Sequence, residues 1–179
     1  MNNQECCAVL GQAPMRFPWG FDEEDSQCKA LKLELLQQIM ALRQMGVARF
    51  MVACDPGVGL YAAEAVNLLR ETDADLMLFC VTPYEEQATK WAPYLRERYF
   101  TMLEKCTHLT ASNSIWTPSA QLDAYKRIIG QSDLALSVYD PAAAWGDASD
   151  KAMDDAAALH KPCVLIHPDT LAVWSDVLT

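Results

Sequence analysis

The chain has 179 residues, 51% of them hydrophobic and 21% charged, the size and balance of one globular domain. A chain this long buries roughly two-thirds of the surface its unfolded form exposes, so its core needs neither disulfide nor metal. The net charge is −10, with 14 Lys and Arg against 24 Asp and Glu and no basic cluster; this excludes the basic footprint through which proteins displace counterions from nucleic acid.

Short apolar runs alternate with amphipathic helical patterns. Cys6 to Leu10 is a first buried strand closed by Gly11, and Gln12 to Asp25 is a loop containing Pro14, Pro18 and Gly20. Ser26 to Met45 is a long helix, with Leu31, Leu35, Ile39 and Leu42 at spacings near four, Ser26 as its N-cap and Gly46 as its stop. Ala48 to Cys54 is a second strand, after which Asp55-Pro56 opens a helix to about Thr72, since Asp caps well and Pro suits a first turn. Leu76 to Val81 is a third strand ended by Thr82-Pro83, and Glu85 to Cys106 carries helix interrupted at Pro93. Thr107 to Ala111 is a short fourth strand, Pro118 to Gln131 a helix, and Leu134 to Tyr139 a continuous apolar strand ended by Asp140-Pro141. Asp147 to Leu159 is an Ala-rich helix, Cys163 to His167 the last clear strand, and Leu171 to Leu178 a terminal helix. Repeated strand–helix units of this kind predict an α/β fold, a Rossmann-like three-layer domain whose mostly parallel sheet has helices on both faces. No repeat or linker divides it, so residues 1–179 are expected to form a single domain.

The amino terminus is polar and lacks the regions of a signal peptide, and no apolar run approaches the ~18 residues of a membrane span. Cys6, Cys7, Cys28, Cys54, Cys80, Cys106 and Cys163 fall largely in strand-like runs, which reads as buried, reduced thiols in a cytoplasmic protein. There is no C-x-x-C, and His108, His160 and His167 lack zinc-site spacing, so no metal site is expected.

An open parallel sheet binds ligands at the carboxyl ends of its strands. Here those ends read Gly11-Gln12-Ala13-Pro14, Cys54-Asp55-Pro56-Gly57-Val58-Gly59, Thr82-Pro83-Tyr84 and Tyr139-Asp140-Pro141, with a later loop Trp145-Gly146-Asp147 entering a helix. Two readings stand for the Gly57-Val58-Gly59 turn: close approach of backbone to a ligand, or tight helix packing. Asp55 reads as a helix cap that would repel a phosphate at the same helix end. Cys54 is either an activated thiol beside a helix start or a small buried residue. Glu64 is a general-base candidate or an ordinary helix residue, and Trp19, Tyr84, Trp91 and Trp145 either stack on a base or fill the core.

Several of these segments coincide in one resemblance. Ala8 to Pro14 is similar to a T-G-H-R-P segment, Pro18-Trp19-Gly20-Phe21 to P-x-G-Y, and Gly57 to Glu64 to G-V-D-L-W-A-A-E. Thr82 to Gln87 followed by Trp91 is similar to P-F-x-x-Q-x-x-x-W, and Ser132-Asp133 with Val138-Tyr139-Asp140 to S-D and V-Y-D. These are motifs of the YpsA-like family of the SLOG superfamily, which the chain resembles over about residues 6 to 168. The resemblance implies a Rossmann-like fold and a pocket for a nucleotide-derived ligand. Its phosphoribohydrolase relatives carry a P-G-G-x-G-T loop that is missing here. Gln12 and Ala13 stand where the family has His and Arg, Gly59 where it has an acid, and Cys54-Asp55-Pro56 where it has a glycine, while Gly146-Asp147-Ala148 replaces a G-G-T-type loop. Loss of a cation with gain of acids makes this a divergent member, less suited to phosphate.

Three functions follow, in order of expectation. The first is a non-catalytic binder or sensor of a nucleotide-derived small molecule, with Gly11, Gln12, Pro14, Cys54, Gly57, Val58, Gly59, Glu64, Pro83, Tyr84, Gln87, Trp91, Tyr139, Asp140 and Gly146 around the ligand. The second is a nucleotide N-glycoside hydrolase using Glu64 as acid–base. The third is a ligand-free scaffold presenting the acidic run Asp22 to Asp25 with Phe17, Trp19 and Phe21 to a partner; the other reading of that aromatic loop, and the more usual one for its length, is a lid packed onto the domain. No cofactor is named by the sequence, and a homodimer is expected only because symmetric dimers are common.

Overall fold

A computed structural model describes residues 5–177. The strands are β1 (Glu5–Gly11), β2 (Val47–Val52), β3 (Met77–Tyr84), β4 (His108–Asn113), β5 (Leu134–Val138), β6 (Cys163–Ile166) and β7 (Val173–Ser175); the α-helices are α1 (Ser26–Gln44), α2 (Val58–Leu69), α3 (Pro93–Lys105), α4 (Ala120–Gly130) and α5 (Ala148–Ala158). They build one seven-stranded sheet in the order β4-β3-β2-β1-β5-β6-β7. All neighbours pair in parallel except β6 and β7. The fold is a three-layer, Rossmann-like α/β arrangement.

The layers follow from strand alternation. Cys7 and Val9 of β1, with Phe50 and Val52 of β2, face a core shared with Leu31, Leu35 and Ile39 of α1, Tyr61 and Ala62 of α2, and Tyr99 of α3. The intervening Cys6, Ala8, Leu10 and Met51 face a second core under Ala124 and Ile128 of α4 and Ala152 and Ala156 of α5. Both faces are covered, so β1 is buried from Cys6 to Gly11 and reads as a continuous apolar run. The alanines of α5 leave that helix no bulk to hold it off the sheet. From β1 the chain steps outward through β2, β3 and β4, then crosses to β5 and β6 on the other side. The reversal puts the topological switch point at the carboxyl ends of β1 and β5.

Several boundaries differ from the sequence reading, four of them for a definite physical reason. Asp25, not Ser26, caps α1: its Oδ1 accepts the N–H groups of Gln27 at 2.7 Å and Cys28 at 3.4 Å. The second helix starts at Val58 rather than at Asp55-Pro56, with Gly57 in the cap position. β3 continues through Pro83; its pairing with β2 ends at Val52–Cys80, so Pro83 removes no N–H from a ladder with that strand. The expected helix from Leu171 is instead β7, whose Val173, Trp174 and Ser175 pair with Ile166, Leu165 and Val164; Leu178 lies outside the described residues. His167 Nδ1 accepts the N–H groups of Asp169 and Thr170 in the preceding turn, which reverses the chain onto the open edge of β6. A run this short has no decisive period, and the unpaired edge selects strand. Among the described residues no helix is long and apolar enough to cross a membrane.

Gly11 is fixed by packing. A Cβ there would lie 2.4 Å from Val58 Cβ, whereas one on Gly130 would meet nothing within 4 Å. Gly11→Ala should therefore cost about 1–3 kcal/mol through overpacking, while Gly130→Ala should gain about 0.4–1 kcal/mol through a less flexible unfolded chain. Urea denaturation of the two variants reads the opposite signs.

Candidate functional site

The carboxyl edge of the sheet holds most of the candidate residues, and the chain's own carboxylates organise it. Asp55 follows β2 and is 6% exposed. Its Oδ2 accepts the N–H groups of Gly57 at 3.3 Å and Gly59 at 3.0 Å, at the start of α2. Burial pushes its carboxyl up from the ordinary value, against the lowering pull of those N–H groups. A Cβ on Gly59 would sit 2.2 Å from Asp55 Oδ1, and one on Gly57 2.8 Å from Pro14 Cγ. Both glycines are thus demanded by contacts within the chain.

A second cluster closes the switch point. Arg16, in the 3-10 turn Pro14–Arg16, has a side chain only 2% exposed. Its Nη1 donates to Asp150 Oδ1 at 2.8 Å, Ser149 Oγ at 3.1 Å and Asp147 Oδ1 at 3.3 Å, and its Nη2 donates to the Ala143 carbonyl at 2.8 Å. The guanidinium carbon lies 5.3 Å from the Tyr139 ring centroid and 5.7 Å from that of Trp145, within cation–π range. Tyr139 Oη donates to Asp150 Oδ1 at 2.6 Å, and the N–H groups of Trp145 and Gly146 donate to Asp150 Oδ2. Burial would raise the Asp150 carboxyl, but the bonds from Tyr139, Arg16, Trp145 and Gly146 outweigh it and hold it well below the usual carboxylate range. Asp147 caps α5 through the N–H groups of Ser149 and Asp150.

Other candidates brace the strand ends. Gln12 is buried and its Oε1 accepts the N–H of Asp140 at 3.2 Å, tying β1 to β5. Asp140 lies 3.6 Å from His167 Nε2. Cys54 is fully buried with φ 55°; its carbonyl accepts Gln87 Nε2 at 2.9 Å, and the same nitrogen donates to Tyr99 Oη at 3.1 Å. Trp91 packs edge-on against Tyr99 at 5.0 Å. Pro83 is buried, and its carbonyl accepts Asn113 Nδ2.

Glu64 lies elsewhere, between α2 and α3, where Arg98 of α3 donates Nε to Oε1 at 2.8 Å and Nη2 to Oε2 at 3.1 Å. Arg98 also pairs with Glu23, which pairs with Lys32, so the acidic loop is pinned to α1 and α3. Phe17 and Trp19 are buried and stacked at 4.6 Å with an 8° interplanar angle, as a lid folded onto the domain requires and a partner-facing surface does not; Phe21 is 41% exposed. The loop folds back because its rings complete the core over α1–α3.

The open part of the edge is a cleft of about 780 Å³ at the carboxyl ends of β3 and β4. It is lined by the candidates Tyr84 and Gln87 together with Glu85, Lys90, Ile115 and Trp116, among others. Ile115 and Trp116 are 72% and 63% exposed. Sequence reasoning missed Arg16, Asp150 and Trp116. Arg16 and Asp150 are 134 residues apart, beyond any local pattern; an apolar pair in the polar stretch Ser112 to Ser119 was the available sign of the third.

These features define a Rossmann-like α/β protein with a ligand-sized cleft at its sheet edge. The YpsA family profile, described as the YspA SLOG family, matches residues 7–171, and the chain belongs to this family. It is 32% identical to a UPF0398 protein of Halalkalibacterium halodurans over 112 residues, which cover 62% of this chain and 59% of that one. It is 27% identical to the UPF0398 protein YpsA of Bacillus subtilis over 137 residues, 75% of each chain. A UPF0398 protein of Bacillus pumilus is likewise 27% identical over 137 residues, 75% of this chain and 73% of the relative.

Asp150→Ala leaves Arg16 buried with Asp147 as its remaining carboxylate. Breaking a buried pair costs about 3–5 kcal/mol, and Asp147 places the expected loss near 3 kcal/mol. Because the Asp150 carboxyl is depressed in the folded state, its contribution is complete above the ordinary aspartate value of about 4 and fades as pH falls through the folded one. The stability gap between wild type and Asp150→Ala, followed by chemical denaturation, should be constant from about pH 7 to 5 and narrow below about pH 4.

Proposed function

We propose that this protein is a non-catalytic binder of a nucleotide-derived small molecule, held at the carboxyl edge of its sheet. The carrying observation is the cleft of about 780 Å³ beside Tyr84, Gln87 and Trp116, a volume suited to a small ligand at the edge where parallel sheets bind them. Membership of a SLOG family supports the nucleotide-derived class. The non-catalytic part is supported by Glu64, whose carboxylate is engaged by Arg98 between α2 and α3 and lines a separate groove.

Thermal unfolding against NAD, ADP-ribose, nucleosides, their monophosphates and cyclic nucleotides tests this reading. A ligand at 100 times its dissociation constant adds about 2.7 kcal/mol, raising the midpoint by roughly 5–10 °C for a domain of this size. A flat response across the panel overturns it. Incubation with nucleoside monophosphates should release no free base; release that disappears in Glu64→Gln would establish hydrolysis instead.

A further inference from the structure

In open parallel sheets, ligand phosphates are received by N–H groups at helix N-termini. Here two such ends at the carboxyl edge are occupied from within. Asp55 accepts the N–H groups of Gly57 and Gly59 at the start of α2. Asp147 accepts those of Ser149 and Asp150 at the start of α5, with Asp150 on the N–H groups of Trp145 and Gly146 just before it. A phosphate would have to displace a bonded carboxylate and would meet its negative charge on approach. Arg16, which reaches the switch point, is already bound to Asp147 and Asp150.

The cleft beyond β3 and β4 has a different character. Glu85 and Glu86 line it with Lys90, the one cation of the lining among the described residues, an unfavourable setting for a polyanion. It also has the rings of Tyr84 and Trp116 and the side chain of Ile115. Trp116 and Ile115 stand mostly in solvent, as apolar side chains do where a ligand covers them. Indole and phenol faces take the faces of nucleobases, irrespective of base identity.

From this juxtaposition of exposed rings, lining carboxylates and occupied helix ends, we infer that the cleft takes an unphosphorylated nucleobase or nucleoside, stacked on Trp116 and Tyr84. The inference rests on the nucleotide-derived reading above and narrows it: the base and sugar bind, and each added phosphate weakens binding.

Isothermal titration of the intact chain with adenosine, guanosine, cytidine and uridine, and with their 5′-monophosphates, tests it. At least one nucleoside should bind, and its monophosphate at least about tenfold more weakly. Trp116→Ala should weaken nucleoside binding at least about fivefold, the lower bound for loss of one base–aromatic stack, with an unchanged melting temperature because the ring is exposed. Glu85→Gln combined with Glu86→Gln should narrow the gap between nucleoside and monophosphate. A monophosphate that binds as tightly as its nucleoside overturns the inference and leaves the broader reading standing, as does binding of NAD or ADP-ribose but no nucleoside. Nucleoside binding unmoved by Trp116→Ala overturns the assignment to this cleft. Absence of binding by every one of these compounds overturns both.

Discussion

Helix N-termini at the edge of a parallel sheet present unsatisfied N–H groups and the positive end of the helix dipole, and something negative has to meet them. In this protein the chain supplies it. Asp55 turns back onto the start of α2 and Asp147 onto the start of α5. Much of the surrounding geometry follows. Gly59 cannot carry a Cβ because the Asp55 carboxylate fills that space, and Gly57 cannot because Pro14 does. With Pro14 seated on Gly57, the turn after β1 is held over α2, which in turn aims Arg16 at the loop after β5.

The Arg16 cluster is the complementary half of this arrangement. A chain of net charge −10 would be expected to spend its few cations on the surface. It buries this one among Asp147, Asp150, Tyr139 and Trp145. Burying a guanidinium is costly unless its donors are met, and here carboxylate, hydroxyl and carbonyl oxygens meet them while two rings cover its faces. The cluster joins segments from opposite ends of the chain across the switch point, and Gln12 with the Asp140 N–H repeats the connection one strand-end away. Space at the sheet edge is thereby displaced toward β3 and β4, where Gln87 and Trp91 pack against Tyr99 and hold the strand end in place.

The two kinds of candidate residue differed in how legible they were. The helix face of Leu31, Leu35, Ile39 and Leu42 and the buried run of β1 could be read directly, because periodicity and continuous apolarity record which faces are covered. Asp55 was legible only in part: its carboxyl group does accept N–H groups at the start of α2, but from before the cap position, which Gly57 holds. Glu64 was not: its helix was evident, but its pairing with Arg98 depends on how α3 is laid beside α2. For Phe17 and Trp19 the sequence left two readings, a partner-facing surface or a lid folded onto the domain, because a loop's direction over the surface leaves no period in the sequence; their burial gives the second.

The sequence by itself determined the alternation of strands and helices, the parallel character of the sheet, the edge at which strand-end loops gather and the YpsA-like motifs, because local propensity and hydrophobic patterning act over a few residues. Only the tertiary structure decided that Arg16 closes the switch point, that both helix ends are filled from within, that the open cleft lies over β3 and β4, and that the chain after β6 pairs as β7 rather than coiling. Each of these depends on contacts between distant segments or on an unpaired edge, and a side chain's environment in such places is set by what the fold brings to it.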